Sequence, residues 1–514
     1  MSASQLLVGY ASATLTVPDP VHLLGQFHMR LNTGVQDDVA AQVMFLGNDA
    51  DSVIFVSIDT EEIQPYLVTE VQRKVHLRNA RIPVESLLLH ATHTHGAPSY
   101  LRDDHPGLAE AAQFPHPGYV IPSGDSYRAE MTDRLAEAIL RAWDNRAPGA
   151  MAYGYGYATA GHCRRVCYYR EQSGRTGIAR NGTCVMYGST DTAEFSHFEN
   201  GGGDAMMQVL YTFDRHRTLT GAVICLPCPF QLDESDERTT ASFAHEIRET
   251  IRSIHPELPV LLLSGAGGDV SPRMLYAKQA EDRRFRLKYA GETAKSSEYF
   301  RRRDIAERVG AAFEEILNWA SRELDSFPKI RHLREIVPLP ARQVSLSEYE
   351  YVKTVRAEWE RAGEWSADDG SREEVLRHNS TRQSVLNLAD EVLRRYERPV
   401  VAWDVEVHAI RLGDFACVTV PLELYQDYHY QVQARSPMTQ TMVVQMVNDS
   451  LGYLSTTRAD AGGGYSAGYL NKVSPEGGRM LVDRLLALLL RTKADESLHW
   501  KQDFSPKKRR SLRK

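Results

Sequence analysis

The residues best suited to chemistry are His93 and His95, which stand in the sequence Thr-His-Thr-His-Gly directly after an apolar run. The run from Leu87 to His93 indicates a buried strand, and side chains two positions apart on a strand point to the same face. Neutral imidazole is the commonest metal ligand in proteins. The pair therefore indicates either a metal site or two hydrogen-bonded structural histidines, and the local sequence leaves both open.

A second candidate is the glycine-rich turn at 265–268, which is followed by Asp269 and Ser271. Glycines let the backbone approach a ligand closely, and the two polar side chains are spaced to face the same way across Val270. Ser271 would then serve as a nucleophile or as an oxyanion donor. The alternative is a tight buried turn in which Asp269 caps nearby backbone amides. No Gly-Lys-Ser/Thr follows, which excludes a phosphate-binding loop.

Three further features are each ambiguous when taken alone. Glu423 ends an apolar run, where a carboxylate is often only an exposed charge. Tyr453 and Tyr465 stand beside glycines, where tyrosines usually serve in packing. Cys225 and Cys228 have a spacing that binds zinc, but a four-ligand structural site normally needs a second such pair. Two buried thiols are the alternative.

Strand and helix patterns alternate around these residues, which indicates the α/β class. Strands are predicted at about 53–59, 87–93, 206–228, 260–263 and 401–420, and helices at about 62–76, 126–145, 239–254, 305–324, 345–397 and 475–491. We find no repeat and no linker. We therefore expect one large domain over 1–500 with mixed sheets and surrounding helices, charged helical elaborations at about 279–400, and a basic, disordered tail at 501–514.

The composition is typical of a globular protein, because 42% of the 514 residues are hydrophobic and 25% are charged. The net charge of −7 gives no reason to expect nucleic acid as a partner. The six cysteines are too few for a disulfide scaffold, and neither a signal peptide nor a transmembrane segment is visible. We expect a cytoplasmic protein. Its oligomeric state cannot be read from the sequence.

In their order along the chain, these segments resemble the neutral (alkaline, non-lysosomal) ceramidases and their bacterial relatives. The stretch 92–98 resembles the family's His-Thr-His-Ser-Gly-Pro, and 268–272 matches its Gly-Asp-Val-Ser-Pro directly. Val-Pro-Leu-Glu at 420–423 resembles its Pro-Gly-Glu, and Tyr453 and Tyr465 keep its twelve-residue step. The resemblance spans almost the whole chain and implies the ceramidase catalytic domain.

The resemblance implies Zn²⁺ as cofactor, held by His93, Glu423 and Tyr453. Where the family has a further ligand histidine, this chain reads Leu-Pro-Cys-Pro, so Cys228 is the implied fourth ligand. Thiolate binds zinc well, although a damaged site or a different metal are alternatives. His245, expected within the following helix, is a weaker replacement.

The same resemblance implies the catalytic roles. His95 would be the general acid/base, and Tyr465 would donate a hydrogen bond to the developing oxyanion. Arg164 best matches the family's arginine, with Arg165 one register away. Zinc-bound water is the favoured nucleophile, since zinc can lower the pKa of water to about 7.

Ser271, with Asp269 beside it, would line this site, either as the nucleophile or as a positioning group. The expected function is therefore a zinc-dependent hydrolase of an amide (N-acyl) bond in a small-molecule or lipid-like substrate. The family's C-terminal β-sandwich and its usual secretion signal are not expected here, which weakens the inference to ceramide. The alternatives are a zinc enzyme acting on a small polar or sugar-derived substrate, and a non-catalytic binding protein that retains the fold.

Overall fold

The computed structural model describes residues 4–17, 21–102, 123–172, 182–292 and 295–494. Within them the chain has a mixed α/β fold built around two sheets, which confirms the expected class. The basic tail predicted at 501–514 lies outside the described residues.

The large sheet has eight strands. The outermost strand at each edge pairs in parallel with its neighbour, and all other neighbouring strands are antiparallel. Its spatial order is Val260–Ser264, Leu219–Leu226, Met206–Asp214, Ala147–Tyr157, Leu7–Thr14, Ala40–Gly47, Ser52–Ile58 and Leu87–Ala91. The strands Ser52–Ile58 and Leu87–Ala91 are buried along their whole length. Burial on both faces explains why their sequences are almost continuously apolar.

The small sheet has four strands, of which the last two pair in parallel. Its order is Ile330–Pro340, Ala402–Leu412, Phe415–Thr419 and Gln440–Val444. The strand Ile330–Pro340 lies within the region predicted as charged helical elaboration, so that prediction was wrong for these residues.

Shorter strands pair outside the two sheets. A three-stranded sheet has the order Gly182–Met186, Arg165–Gln172 and Phe195–Phe198. The two-stranded pairs are His22–Leu23 with Arg30–Leu31, Gly34–Val35 with Arg238–Thr239, His162–Cys163 with Val270–Ser271, and Glu423–Leu424 with Tyr453–Leu454.

The α-helices begin mostly at serine or threonine caps, which satisfy the free amides of the first turn. They span Pro65–Arg78, Gly124–Asp144, Phe243–Arg252, Lys278–Lys288, Ser297–Ala320, Leu346–Ala362, Arg372–Glu397, Gln426–Arg435, Thr457–Gly462 and Pro475–Lys493, and Val84–Ser86 is a short 3₁₀ turn. We find no described helix with the length and apolar character of a membrane-spanning segment.

Three of the apolar clusters hold the two sheets and their helices together. One joins the large sheet to four helices, among them Phe243–Arg252 and Ser297–Ala320. A second joins the small sheet to the helix Pro475–Lys493. The third contains side chains from both sheets, including Leu263 and Phe415, so the two sheets share a core. The loops that follow the strands of both sheets are therefore held in place by a common core.

Candidate active site

His93 occupies a strained position directly after the strand Leu87–Ala91. Its φ of 68° lies in the left-handed region, which is uncommon for a residue other than glycine. Its backbone N–H donates to the carbonyl of Thr60 (2.9 Å), and its ring Nδ1 lies 2.7 Å from the carbonyl oxygen of Glu61. A carbonyl only accepts, so Nδ1 carries the proton and the lone pair stays on Nε2. Metal-binding histidines are commonly oriented in this way.

The Nε2 atom of His93 faces Glu423, whose Oε2 lies 3.7 Å away. This carboxylate oxygen is buried and has no hydrogen-bond partner. Glu423 pairs in parallel register with Tyr453, which places both side chains beside the histidine loop. The structure therefore brings together three of the four predicted metal ligands.

His95 also reaches this site, but not through the strand alternation that the sequence indicated. The strand ends at Ala91, and both histidines lie in the loop beyond it with ring centroids 5.0 Å apart. The Nδ1 of His95 lies 3.3 Å from Gln231 Nε2 and 3.4 Å from Glu234 Oε1, whereas Nε2 is buried without a partner. Burial, reinforced by the nearby guanidinium groups of Arg30, Arg164 and Arg273, holds the pKa of His95 well below its ordinary value. The ring is therefore neutral.

Arg164, rather than Arg165, is the arginine that enters the site. Its Nη2 donates to the hydroxyl of Tyr453 (3.3 Å) and lies 3.7 Å from Glu423 Oε2. Its Nη1 donates to the hydroxyl of Tyr187 (2.9 Å). Arg164 is also bonded to two backbone carbonyls at the end of the glycine-rich turn. Its side-chain Nη2 donates to Gly268 O (3.0 Å), and its backbone amide donates to Asp269 O (3.0 Å).

Arg165 has a structural role in the same region. It forms a buried ion pair with Glu199 (2.6 Å) and donates to the carbonyls of Ala459 and Gly463. These contacts fix the segment that carries Tyr465. The ring of Tyr465 packs edge-on against that of Tyr453 at 6.0 Å, and burial raises the pKa of the Tyr465 phenol. The predicted oxyanion donor therefore lies beside a predicted metal ligand and stays protonated.

Asp269 takes the capping role that the sequence left open. Its Oδ2 accepts from Asn200 Nδ2 (2.8 Å), and its Oδ1 accepts from the backbone amide of Gln426 at the start of a helix (3.1 Å). Burial raises the pKa of Asp269 to about 6. Ser271 is fully buried, and its Oγ accepts from the amide of Arg273 (3.2 Å). Both residues organise the turn, and a catalytic part for either stays a prediction.

Cys228, the fourth predicted ligand, is fully buried, and its thiol donates to the carbonyl of Pro229 (3.3 Å). Burial raises the pKa of this thiol. Cys225 is also buried, and its Sγ contacts the carbonyl of Val443 (3.7 Å). Neither cysteine belongs to the clusters of three metal-ligating side chains that the described residues form.

Two such clusters exist in the described part of the chain, and one of them adds a residue that the sequence did not single out. Ligand atoms of Glu61, His93 and His95 all lie within 4.8 Å of one another. Burial and the nearby carboxylates of Glu62 and Glu423 raise the pKa of Glu61 well above its ordinary value. The only signal for Glu61 in the sequence is its place just beyond a buried strand.

The second cluster consists of Cys167, Cys184 and Glu199. Both oxygens of Glu199 are already engaged by Arg165 (2.6 and 3.0 Å). This cluster therefore lacks a free carboxylate and has the character of a structural ion pair beside two thiols.

The donor set around His93 fits a divalent cation. It combines imidazole nitrogens, carboxylates and a phenol, all of which are known zinc or transition-metal ligands. Two atoms of the site, His95 Nε2 and Glu423 Oε2, are buried without a hydrogen-bond partner. Burying an unpaired polar atom costs free energy unless a bound ligand or ion interacts with it. Residues of four separate chain segments converge on this point.

The fold has relatives among solved structures. A scan against protein-family models and a search of curated proteins each found no match. A neutral ceramidase from Pseudomonas aeruginosa superposes with a TM-score of 0.65 at 16% identity, covering 96% of this chain and 76% of that one. A ceramidase complexed with C2 gives 0.64 at 15% identity, with coverages of 95% and 75%. The resemblance to ceramidases is thus confirmed at the level of the fold.

Proposed function

We propose that this chain is a zinc-dependent hydrolase of an amide (N-acyl) bond. The observation that carries the proposal is the approach of His93 Nε2 to Glu423 Oε2, 3.7 Å apart, with that oxygen buried and unpartnered. The guanidinium of Arg164 lies 3.7 Å from the same oxygen but donates no hydrogen bond to it, so this oxygen remains free to bind a metal cation. Tyr453, the register partner of Glu423, supplies the third protein ligand. The ceramidase-like fold supports the same reading.

The remaining polar groups are arranged for acyl transfer. A bound Zn²⁺ would polarise the substrate carbonyl and lower the pKa of a water molecule. His95 is neutral, and with its Nδ1–H directed towards Glu234 Oε1 (3.4 Å) the unpartnered Nε2 is able to accept a proton from the attacking group and deliver it to the leaving amine. Tyr465, protonated through burial, donates a hydrogen bond to the oxygen on which negative charge develops.

Arg164 positions the neighbouring ligands. Its guanidinium is buried and contacts both the Tyr453 hydroxyl and the Glu423 carboxylate. Bonds to the carbonyl of Gly268 and the hydroxyl of Tyr187 fix the guanidinium plane. We assign Ser271 a positioning role, because its Oγ is occupied by the amide of Arg273.

A small polar substrate is the second candidate, in place of a lipid. The observation that favours it is the charged and amide-bearing surroundings of His95, formed by Gln231, Glu234 and Arg273. These groups recognise hydroxyl, amide or ionic substituents better than an alkyl chain.

Metal analysis combined with a substrate panel tests the proposal. The purified chain is analysed for bound metals and assayed against N-acylsphingosine, N-acyl amino acids and N-acyl amino sugars before and after chelation. We expect about one zinc per chain and hydrolysis that is lost on chelation and restored by Zn²⁺. A metal-replete protein that retains no transition metal would overturn the proposal. A preference for the polar acyl donors would select the second candidate.

A further inference from the structure

The loop that orients His93 also brings a second carboxylate to the site. Glu61 follows the strand Ser52–Ile58, and its backbone carbonyl receives the Nδ1–H of His93 (2.7 Å). The Thr60 carbonyl receives the His93 amide (2.9 Å). These two bonds fix the histidine loop to the Glu61 turn. The backbone of Glu61 is therefore held beside the histidine ring, and its side chain starts from a fixed point next to the site.

The carboxylate of Glu61 lies where a ligand atom is needed. One of its oxygens lies within 4.8 Å of ligand atoms of both His93 and His95. Oε2 of Glu423 also approaches His93 and lies 3.7 Å from its Nε2. Two carboxylates that converge on one buried imidazole are unfavourable unless a cation lies between them.

The thiol of Cys228 has the opposite surroundings. It already donates to the carbonyl of Pro229 (3.3 Å), and its neighbour on another side is the backbone of Gly161, where an added Cβ would lie 3.2 Å from the Cβ of Cys228. A thiol binds metal only as thiolate, and the full burial of this one disfavours the charged form. The chain therefore offers a carboxylate that clusters with the histidine ligand atoms and a thiol that is already hydrogen-bonded and belongs to neither described cluster.

We propose that Glu61 is the fourth protein ligand of the metal, beside His93, Glu423 and Tyr453, in place of Cys228. This inference rests on the proposed metal site and deepens it. With two carboxylates and no thiolate, the ligand set is harder than one containing sulfur. We therefore expect the site to accept Mn²⁺ and Co²⁺ as well as Zn²⁺.

The first test uses the unmodified full-length chain with Co²⁺ as the probe. A Co²⁺–thiolate bond absorbs strongly in the near ultraviolet, whereas carboxylate, phenol and imidazole ligands leave this region weak. We expect visible ligand-field bands without a thiolate band. A strong thiolate band that disappears in Cys228→Ser would overturn the inference while supporting a metal site. Failure to bind either Co²⁺ or Zn²⁺ would overturn the proposed function itself.

The second test measures Zn²⁺ affinity by competition with a chromophoric chelator. Loss of an outer-shell partner typically weakens metal binding about 10–100-fold, so we expect Glu61→Gln, which removes a direct ligand, to weaken it at least about 100-fold. The matched control is Glu62→Gln, because Glu62 is the adjacent carboxylate and bonds to Gln64 Nε2 (2.8 Å) instead. It should weaken binding far less than Glu61→Gln, because it removes a neighbouring charge and no ligand. Equal affinity of Glu61→Gln and wild type would overturn the inference, and circular dichroism of the metal-free variants checks folding.

Discussion

Glu423 and Tyr453 are direct partners in a two-residue parallel strand pair, so backbone hydrogen bonding alone sets two of the proposed metal ligands side by side. The amide of Glu423 donates to the carbonyl of Gly452 (2.9 Å), and the amide of Tyr425 donates to that of Leu454 (3.3 Å). The relative position of these side chains therefore depends on local pairing and not on a flexible loop. Such rigidity is what a metal site requires of its ligands.

The two histidines of the loop are expected to differ in role. His95→Ala should retain the metal but lower turnover about 10²–10⁴-fold, because general acid–base assistance is typically worth that much. His93→Ala should lose the metal, because its Nε2 faces Glu423. Metal content and kcat of both purified variants check this. Metal loss in His95→Ala with retention in His93→Ala would reverse the two assignments.

The buried ion pair between Asp59 and Arg248 should be important for stability. Its two bonds measure 2.7 and 2.9 Å, and neither side chain is appreciably exposed. Arg248→Met would leave a buried, unpaired carboxylate, which typically costs about 3–5 kcal/mol. Urea unfolding measures the loss.

The matched control for this ion pair is Arg78→Met, which breaks the exposed pair of Arg78 with Asp133. Exposed pairs contribute about 0–1 kcal/mol, so little change is expected. Similar losses of unfolding free energy in the two variants would contradict the assigned importance of the Asp59–Arg248 pair.

The pKa of Asp269, raised by burial to about 6, predicts a pH dependence of stability. In the unfolded chain the pKa is about 3.9, so the folded state binds this proton more tightly. As the pH rises from 4 to 6, the contribution of Asp269 to the free energy of unfolding should therefore fall by up to about 3 kcal/mol. Above pH 6 this contribution should not change further.

Urea unfolding at pH 4, 5, 6 and 7 tests the Asp269 prediction. Asp269→Asn should show a smaller decline than wild type over this interval, because the titrating group is gone. Asp49→Asn, at an exposed carboxylate, controls for the loss of one acidic group. Parallel pH profiles of wild type and Asp269→Asn would refute the assignment.

Much of the fold was predictable because buried strands and amphipathic helices leave clear patterns. The helix predicted at 62–76 begins instead at Pro65, a residue favoured in the first turn. The helix predicted from Thr239 begins at Phe243, because Thr239 pairs as a strand with Val35. The strand Ile330–Pro340 was missed because it is partly exposed and adjacent charged residues such as Arg334 and Glu335 interrupt the apolar alternation. Its pairing with Ala402–Leu412 is a long-range contact that no local pattern encodes.

The site was predictable where residues form a motif and not where they meet only through tertiary structure. His93 and His95 stand out from their spacing, and Glu423 from its order along the chain. Glu61 stands in a Glu-Glu pair that is indistinguishable from a solvated charge. Its approach to the histidines depends on the neighbouring strands Ser52–Ile58 and Leu87–Ala91 running in parallel.

The last prediction concerns Gly25, whose φ of 101° and contact with His95 both require glycine. A Cβ at this position would lie 2.3 Å from His95 Cγ, so Gly25→Ala must displace the imidazole. Gly201→Ala is the matched control, because Gly201 also has positive φ (75°) but nothing within 4 Å of an added Cβ. Both variants should lose roughly 1–2 kcal/mol of stability through backbone strain, whereas only Gly25→Ala should lose turnover. Thermal unfolding and kcat measure the two effects, and equal turnover in both variants would show that the Gly25 contact does not position His95.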